Sequence, residues 1–525
     1  MRPLVGGALL ALVAGALFLS GLGAYPLLDP DEARHAEVAR EMAAGHGVRA
    51  LLLPTLELRP YREKPPGFYW LVTLAYGALG VSEAAARLPS AVAALLTVLV
   101  VYGWAVPRFG VPGALAAAAV LATSVGWVGL ARFVNVDMTL TACVAIGVLA
   151  GLAWLERPDG RGAPLVPWIA AGLGTLVKGP IALVLTLGPL ALAWALARPR
   201  PRPGLGRLVA GLAITAAIAA ALWVPVALLD ASYVLHFAGT NVARLGAEAP
   251  HASPLWYYAV WLPALLLPWT LFVPAALARA ARDARGRALL AWALFVPAVL
   301  TLARGKLATY ALSALVPLAL LIGPPLADAA VAEDDTRPTR SLRIAGWLGS
   351  AVLAAGAVGI VVAARFFPIG PARTLVAAAA LAVAAGVLAW TTARRRAGLV
   401  PAAALATLLV LYPALVHLVA PAVARVQSDR DAAALIADAG AAPVLAFSAL
   451  APSLVFYLRT PLIWTEDTNL VRDLFARDEP VFLMTGRRHF ARIEALLGER
   501  AHVWHTTRRR RLYANRPPPA DGGPG

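Results

Sequence analysis

The chain has little of what soluble and secreted proteins are built from. Its one cysteine, Cys143, excludes an internal disulfide, and no Cys/His spacing suited to a metal is present. Charged residues occupy only 14% of positions, against roughly a quarter in soluble domains. That shortage excludes a soluble enzyme and a disordered chain. The P-loop and GxGxxG signatures of nucleotide sites are missing, as are the HExxH and GxSxG signatures of proteolysis and acyl transfer. What is present is apolar: 60% of the 525 residues, with a mean hydropathy of +0.71. Most of the chain therefore reads as an integral membrane protein. The net charge of +17 would point to nucleic acid in a soluble domain. Here it is read as a topology signal, with no nucleic-acid partner.

Lysine is the most informative scarcity. Of 46 basic residues only Lys64, Lys178 and Lys306 are lysines. Mutational bias toward GC-rich codons would replace Lys wherever Arg serves. The survivors stand in EKPP, VKGP and GKLATY, each beside an apolar segment. A lysine ammonium is a compact charge on a flexible stem, which the planar arginine fork does not imitate. These three positions are therefore functional candidates.

Apolar runs of about 20 residues predict spanning helices. They fall near 4–23, 88–106, 113–131, 136–154, 165–181, 182–197, 208–228, 255–277, 288–303, 308–327, 344–363, 374–391 and 399–420. The first is long for a signal-peptide core and is followed by no A-x-A site, so it is expected to be retained. Residues 67–79, GFYWLVTLAYGAL, suit a membrane-parallel or re-entrant helix better than a span. With that segment not crossing, Arg108, Arg157, Arg161, the 198–207 and 279–287 arginines, Arg337, Arg340, Arg343 and Arg394–Arg396 all fall on one side. The positive-inside rule makes that side cytoplasmic. The outer face then collects 24–87, the breaks near Asp137 and Lys178, the loop 229–254 and residues 304–310. All three lysines lie at this outer boundary.

Beyond Pro421 the pattern changes to short strands (PVLAFS, PLIWT, PVFLMTG, RAHVWHTT) alternating with helices (SLVFYLR, NLVRDLFAR, HFARIEALL). The expected organisation is a membrane domain over 1–420, with first outer loop 24–87. A small extracytoplasmic α/β domain follows over 421–515, and a disordered tail over 516–525.

Polar residues concentrate in a few motifs. DPDEARHAEVAREM opens like a helix N-terminus. One turn along it, Asp31, Arg34 and His35 can share a face, which favours Asp31 over Asp29 as a carboxylate base beside cations holding an anion. The bland alternative is a solvated amphipathic helix. In LRPYREKPPGFYW, Glu63 and Lys64 precede a rigid double proline; Lys64 is an anion ligand or a snorkelling anchor. Asp137 beside an apolar run is functional or a helix cap. Lys178, before a Gly-Pro break, reaches a headgroup phosphate or merely anchors the interface. The 229–254 loop contributes Asp230, His236, Asn241, Arg244, Glu248 and His251, and ARGKLATY contributes Arg304, Lys306 and Tyr310.

Together DPDEARHAEVAREM, YREKPPGFYWL and AARLPSA, then VDMTL, LVKGP, HASPLWYY and KLATYALSALVPL in the same order, resemble the bacterial aminoarabinose (lipid A) transferases and their protein O-mannosyltransferase relatives. The resemblance covers residues 1 to about 325. It implies an all-helical membrane fold of the C-type glycosyltransferases, with a polyprenyl-phosphate-linked sugar as donor. The reaction would be inverting transfer to an envelope acceptor, whether lipid A-like lipid, glycan or protein, on the outer face of the bacterial cytoplasmic membrane. By motif, Asp31 and Asp137 would be the catalytic carboxylates. Arg34, Lys64 and Lys178 would hold the carrier phosphate, and Arg244 and Tyr310 would line the donor cavity. His35, Glu63 and Lys306 complete the substrate-binding candidates. The chain departs from the family at His35, where Tyr is usual. At Asn241 the aminoarabinose transferases have a His near a bound metal. No metal ligand is assigned, although the resemblance admits a divalent cation.

Two other classes compete. A lipid or glycan transporter or flippase would place ionisable groups at mid-membrane and show repeated halves; here the polar motifs gather at one face. A non-enzymatic envelope protein would leave the Asp and Lys motifs unexplained.

Overall fold

The computed structural model describes residues 2–157, 164–198, 200–246, 249, 251–331, 340–394, 399–440, 442–448, 451–507 and 509–518. Arg161, Glu248, Arg337, Arg395, Arg396 and residues 519–525 of the expected tail lie outside them. Eight described helices are long and apolar enough to cross a membrane, or nine when one bent pair counts as a single span. The chain is thus a multi-pass membrane protein of mostly helical fold. Four further apolar helices are shorter: Pro3–Leu19, Gly67–Leu79, Val166–Lys178 and Ile181–Leu196.

The centre of the bundle is the helical run Glu83–Ala122, packed against Pro3–Leu19, Val136–Leu155 and Leu315–Val331. Small residues permit this close approach. A side chain at Gly323 would strike the backbone of Ala117 at 2.2 Å. The run is broken at Gly110, whose φ of 68° is left-handed, between Pro107 and Pro112.

Two expected spans differ in detail. The 113–131 run is not continuous: it stops at Ala122 and restarts as Val125–Ala131. The Thr123 and Ser124 hydroxyls bond back to the carbonyls of Ala119 and Val120, 2.6 and 2.7 Å away, and such back-bonding competes with the helix ladder. The 255–277 run is two segments, Tyr257–Leu265 and Trp269–Ala280, bent by 107°. Pro268 lies in the break and supplies no amide donor.

Residues 24–87 fold as helices Asp31–Ala44 and Gly47–Leu52, a hairpin pairing Thr55–Leu56 with Arg59–Pro60, and the helix Gly67–Leu79. The C-terminal part carries a five-stranded sheet. Its order is Ile463–Thr465, Val444–Phe447, Phe482–Gly486, Arg510–Ala514, His502–Thr506, with the first three parallel and the last two antiparallel to their neighbours. Alternation along the strands divides the core. Val444, Ala446, Phe482 and Met484 pack on one face; Leu445, Phe447 and Leu483 pack on the other. The strands expected from the sequence stop at RAHVWHTT; the structure adds Arg510–Ala514, within the arginine-rich RRRRLYANR.

Candidate functional site

The helix that carries Asp31 is anchored before anything can bind to it. Glu32 and Arg87 form a fully buried bidentate pair at 2.7 and 2.8 Å. Arg87 also donates to the carbonyls of Leu22, Tyr25 and Pro26, while Glu32 accepts the amides of Leu28 and Val134. Every charge-bearing atom of the pair has a partner, so it reads as scaffold. Sequence reasoning quoted Arg87 within AARLPSA and missed its role; an arginine at the head of an apolar run was the available signal.

Asp29 is equally occupied. Its carboxylate accepts the Ser453 amide at 3.0 Å, the Ser453 hydroxyl, and an Arg510 N–H at 2.5 Å. Arg510 also pairs with Asp429, whose amide donates to Ser453 Oγ at 2.9 Å. These contacts clasp the C-terminal sheet to the segment that precedes Asp31. Two residues later the situation reverses. The Asp31 side chain is 57% exposed, with Arg34 as its ion-pair partner, and Arg34 reaches Glu63 at 3.7 Å. The Arg34 Nε is buried without a hydrogen-bond partner.

Below Arg34, His35 is buried and its Nδ1 lies 2.9 Å from the Tyr69 hydroxyl. Burial, with Arg34 and Lys64 nearby, pushes the imidazole down to about 3. His35 is therefore a neutral partner of Tyr69 at physiological pH.

Lys64 is delivered by the double proline and by two close approaches. Tyr233 donates its hydroxyl to the Lys64 carbonyl at 2.5 Å. Gly67 sits so near the Leu176 carbonyl that a Cβ would approach it to 2.4 Å, which brings this segment against the end of Val166–Lys178. Among the described residues the Lys64 ammonium has no hydrogen bond or ion pair. Burial, then Arg244 and Lys178, push it down to about 7.

Asp137 and Lys178, 41 residues apart, form a buried ion pair. Thr309 also hydrogen-bonds Asp137, and the Lys178 Nζ stands 3.8 Å from the centroid of the Tyr310 ring. The cap of Val136–Leu155 is Asn135, whose side chain accepts the Met138 amide at 2.9 Å, so Asp137 is not spent on capping. Arg244 ends the helix Ala231–Ala243, and its carbonyl is held by the amides of Arg304 and Gly305. Its charge is felt at Lys64, whose ammonium it helps to push down.

Asp31, Arg34, His35, Glu63, Lys64, Asp137, Lys178, Arg244 and Tyr310 are thus brought together from six separated stretches. Lys306 is placed differently: it is buried and donates to the Ser253 carbonyl at 2.9 Å, tying two loops together. In the cluster four cations face three carboxylates, so the surplus positive charge suits an anion. No three His, Cys, Asp or Glu side chains among the described residues could hold a metal, and the Asn241 amide is turned back to the Phe237 carbonyl at 2.7 Å. The described residues thus do not fit a divalent cation.

A model of the dolichyl-phosphate-mannose-protein mannosyltransferase family matches residues 63–229. The chain is 32% identical over 331 residues to an undecaprenyl phosphate-alpha-4-amino-4-deoxy-L-arabinose arabinosyl transferase of Pseudomonas aeruginosa, covering 61% of this chain and 59% of that protein. It thus spans about three fifths of the length of such relatives. A transferase of the same description from Pseudomonas savastanoi is 31% identical over 369 residues, covering 68% of this chain and 67% of its own. The crystal structure of ArnT from Cupriavidus metallidurans bound to undecaprenyl phosphate superposes with a TM-score of 0.78 at 22% identity, covering 99% of both chains. That last likeness is one of fold.

Proposed function

Because the chain belongs to the family of the undecaprenyl phosphate-aminoarabinose arabinosyl transferases, we propose that it is an inverting glycosyltransferase using a polyprenyl-phosphate-linked sugar. The acceptor is an envelope molecule, and 4-amino-4-deoxy-L-arabinose is the first sugar to test. The observation that carries this reading is one open carboxylate, Asp31, beside a surplus of cations. Arg34, Lys64, Lys178 and Arg244 hold the carrier phosphate and stabilise the charge that develops as its bond to the anomeric carbon breaks. Asp31 takes the proton of the acceptor hydroxyl, whose oxygen attacks opposite the leaving phosphate. Asp137 fixes the Lys178 ammonium, Glu63 fixes Arg34, and Tyr310 forms a wall of the donor cavity. Lys306 serves this site indirectly, by holding the loop that precedes Tyr310.

The same reading takes the four shorter apolar helices into account. Counting three of them and the bent pair as spans, leaving Gly67–Leu79 parallel to the membrane and dividing Glu83–Ala122 at Gly110 makes thirteen crossings. An odd number puts residues 421–515 and the site outside the bacterial cytoplasmic membrane, with the arginine-rich breaks inside. The test is purified protein supplied with undecaprenyl-phosphate-aminoarabinose and extracted envelope glycolipids, read by mass spectrometry. It is paired with envelope profiles of cells with and without the gene. A reporter after Pro421 that reads cytoplasmic, or profiles that do not differ, would refute the proposal.

A further inference from the structure

The C-terminal sheet has two ends, and strand register tells them apart. Gly486 pairs with Arg510 at one end, whereas Phe482 and His502 both stand opposite Ala514 at the other. At the Gly486 end, Arg510 reaches Asp429, just past the close of the apolar helix Ala402–Gln427. It also reaches Asp29, whose amide bonds the Gln427 carbonyl at 2.9 Å. That helix has 26 residues and rises about 39 Å, close to the roughly 40–45 Å of a bilayer with its headgroups. Gln427 therefore closes the span at headgroup level and holds this end of the sheet there.

Three arginines at this end have no work in the fold. Arg487 and Arg488 follow Gly486, and Arg509 precedes Arg510. The Arg487 amide bonds the Arg509 carbonyl at 2.9 Å, so the two turns lie side by side. All three residues are exposed, and their side chains make no ion pair, ring contact or hydrogen bond among the described residues. Their neighbours are neutralised: Arg510 by Asp29 and Asp429, Arg511 by Glu494. The acids Glu466 and Asp467 follow the outermost strand Ile463–Thr465, which Val444–Phe447 separates from Phe482–Gly486. At the opposite end charge is balanced within the chain. Arg477 precedes Asp478 and Glu479 ahead of Phe482, and Arg500 follows Glu499 ahead of His502.

Unpaired guanidinium groups at headgroup depth suit a lipid phosphate, which the planar fork grips with two parallel N–H donors. We infer that this end of the sheet docks on the bilayer surface by binding anionic phospholipid headgroups through Arg487, Arg488 and Arg509. Net charge selects the lipid. Phosphatidylglycerol keeps the negative charge of its phosphate, whereas the choline of phosphatidylcholine cancels it. The bound headgroups brace the sheet at the same end that Asp29 clasps from within the chain. This docking goes beyond the transferase reading and holds whether or not the chain transfers sugar.

The test uses the full-length protein in phosphatidylcholine vesicles containing phosphatidylglycerol. Photoreactive benzoylphenylalanine replaces Ala491, an exposed residue shortly after Arg488. Mass spectrometry of the adducts compares the share of phosphatidylglycerol at the probe with its share of the bilayer. One arginine at an anionic surface contributes about a fivefold preference, so enrichment of about fivefold or more is expected. R487A/R488A/R509A should return the adducts to the bilayer share and leave the melting temperature unchanged, because no protein contact is lost. R487K/R488K/R509K should keep most of the enrichment, and R477A/R500A at the opposite end should keep all of it. Added salt should lower it, since exposed charges are screened. Wild-type adducts that mirror the bilayer composition, or enrichment that survives the alanine changes, would overturn the docking. Absence of lipid adducts would set this end of the sheet away from the membrane and overturn it equally.

Discussion

Two charged constellations flank the same proline, and they differ in how completely their members are partnered. Around Asp29 the partners are many: Ser453, Arg510 and Asp429 close a buried network between this segment and the C-terminal sheet. Burial pushes the Asp429 carboxyl above the usual carboxylate range against the pull of Arg510, with Asp29 adding to the rise. Around Asp31 the partners run short. Its side chain is more than half exposed, Arg34 keeps an orphaned N–H, and Lys64, with Asp137 and Glu63 acting on it only at longer range, makes no ion pair among the described residues. A buried network with every bond made fixes geometry; one with bonds left open awaits a ligand. Partnering, rather than charge density, separates the two aspartates of one DPD sequence.

The sharpest break of this comparison is Asp31→Asn. The amide keeps the shape but cannot take a proton, so single-turnover transfer at saturating donor should fall by roughly 10²-fold or more. The melting temperature should stay at the wild-type value. Retention of a tenth of the rate would remove Asp31 from the role of base. Arg510→Met should do the opposite, leaving two carboxylates buried without their cation at a cost of about 3–5 kcal/mol. Its signature is a lowered denaturation midpoint, with little change in turnover per folded molecule. If Arg510→Met instead abolishes turnover in stable protein, the clasp belongs to the chemistry and the distinction fails.

Much of this was legible in the sequence, for physical reasons that also mark the limits. Apolar length located the helices because a bilayer demands it. It could not register the break at Thr123–Ser124, where two hydroxyls compete for carbonyls, nor the 107° bend at Pro268. Helical register separated Asp31 from Asp29 correctly as neighbours of Arg34. What Asp29 does depends on Ser453 and Arg510, more than 420 residues away, and no local pattern encodes that. The scarcity of lysine singled out three positions without distinguishing them. Lys64 makes no ion pair among the described residues, Lys178 is paired with Asp137, and Lys306 holds a carbonyl. Arg510 was hidden because it stands in a run of four arginines, 508–511, that precedes the strand's buried residues Leu512, Tyr513 and Ala514.

Lys178→Met and Lys64→Met sharpen the comparison at intermediate size. Removing Lys178 strands Asp137 in a buried place, so both donor use and stability should suffer, stability by about 3 kcal/mol. Removing Lys64 strands nothing. The expected result is a donor KM raised roughly tenfold, with melting temperature unchanged or higher. Equal stability losses in the two variants would mean that Lys64 has a partner after all.

The smallest effect is a pH dependence carried by Lys64. Burial, with Arg244 and Lys178 close by, brings its ammonium down to about 7, far below the ordinary lysine value of about 10.4. In the ligand-free protein the charged form therefore predominates below pH 7 and fades above it. A phosphodiester donor stays anionic throughout, so the lysine alone titrates, and bound phosphate favours its charged form. Donor affinity should thus be highest below pH 7 and weaken as pH rises through it, giving a donor KM about three- to tenfold higher at pH 8 than at pH 6. Stability runs the other way. The folded chain binds fewer protons than the unfolded one between about 7 and 10.4, so the ligand-free protein gains stability as pH rises across that window. Lys64→Met should flatten both profiles together. A donor KM that keeps its pH dependence in the methionine variant would assign the titration to another group and leave Lys64 a permanently charged anchor.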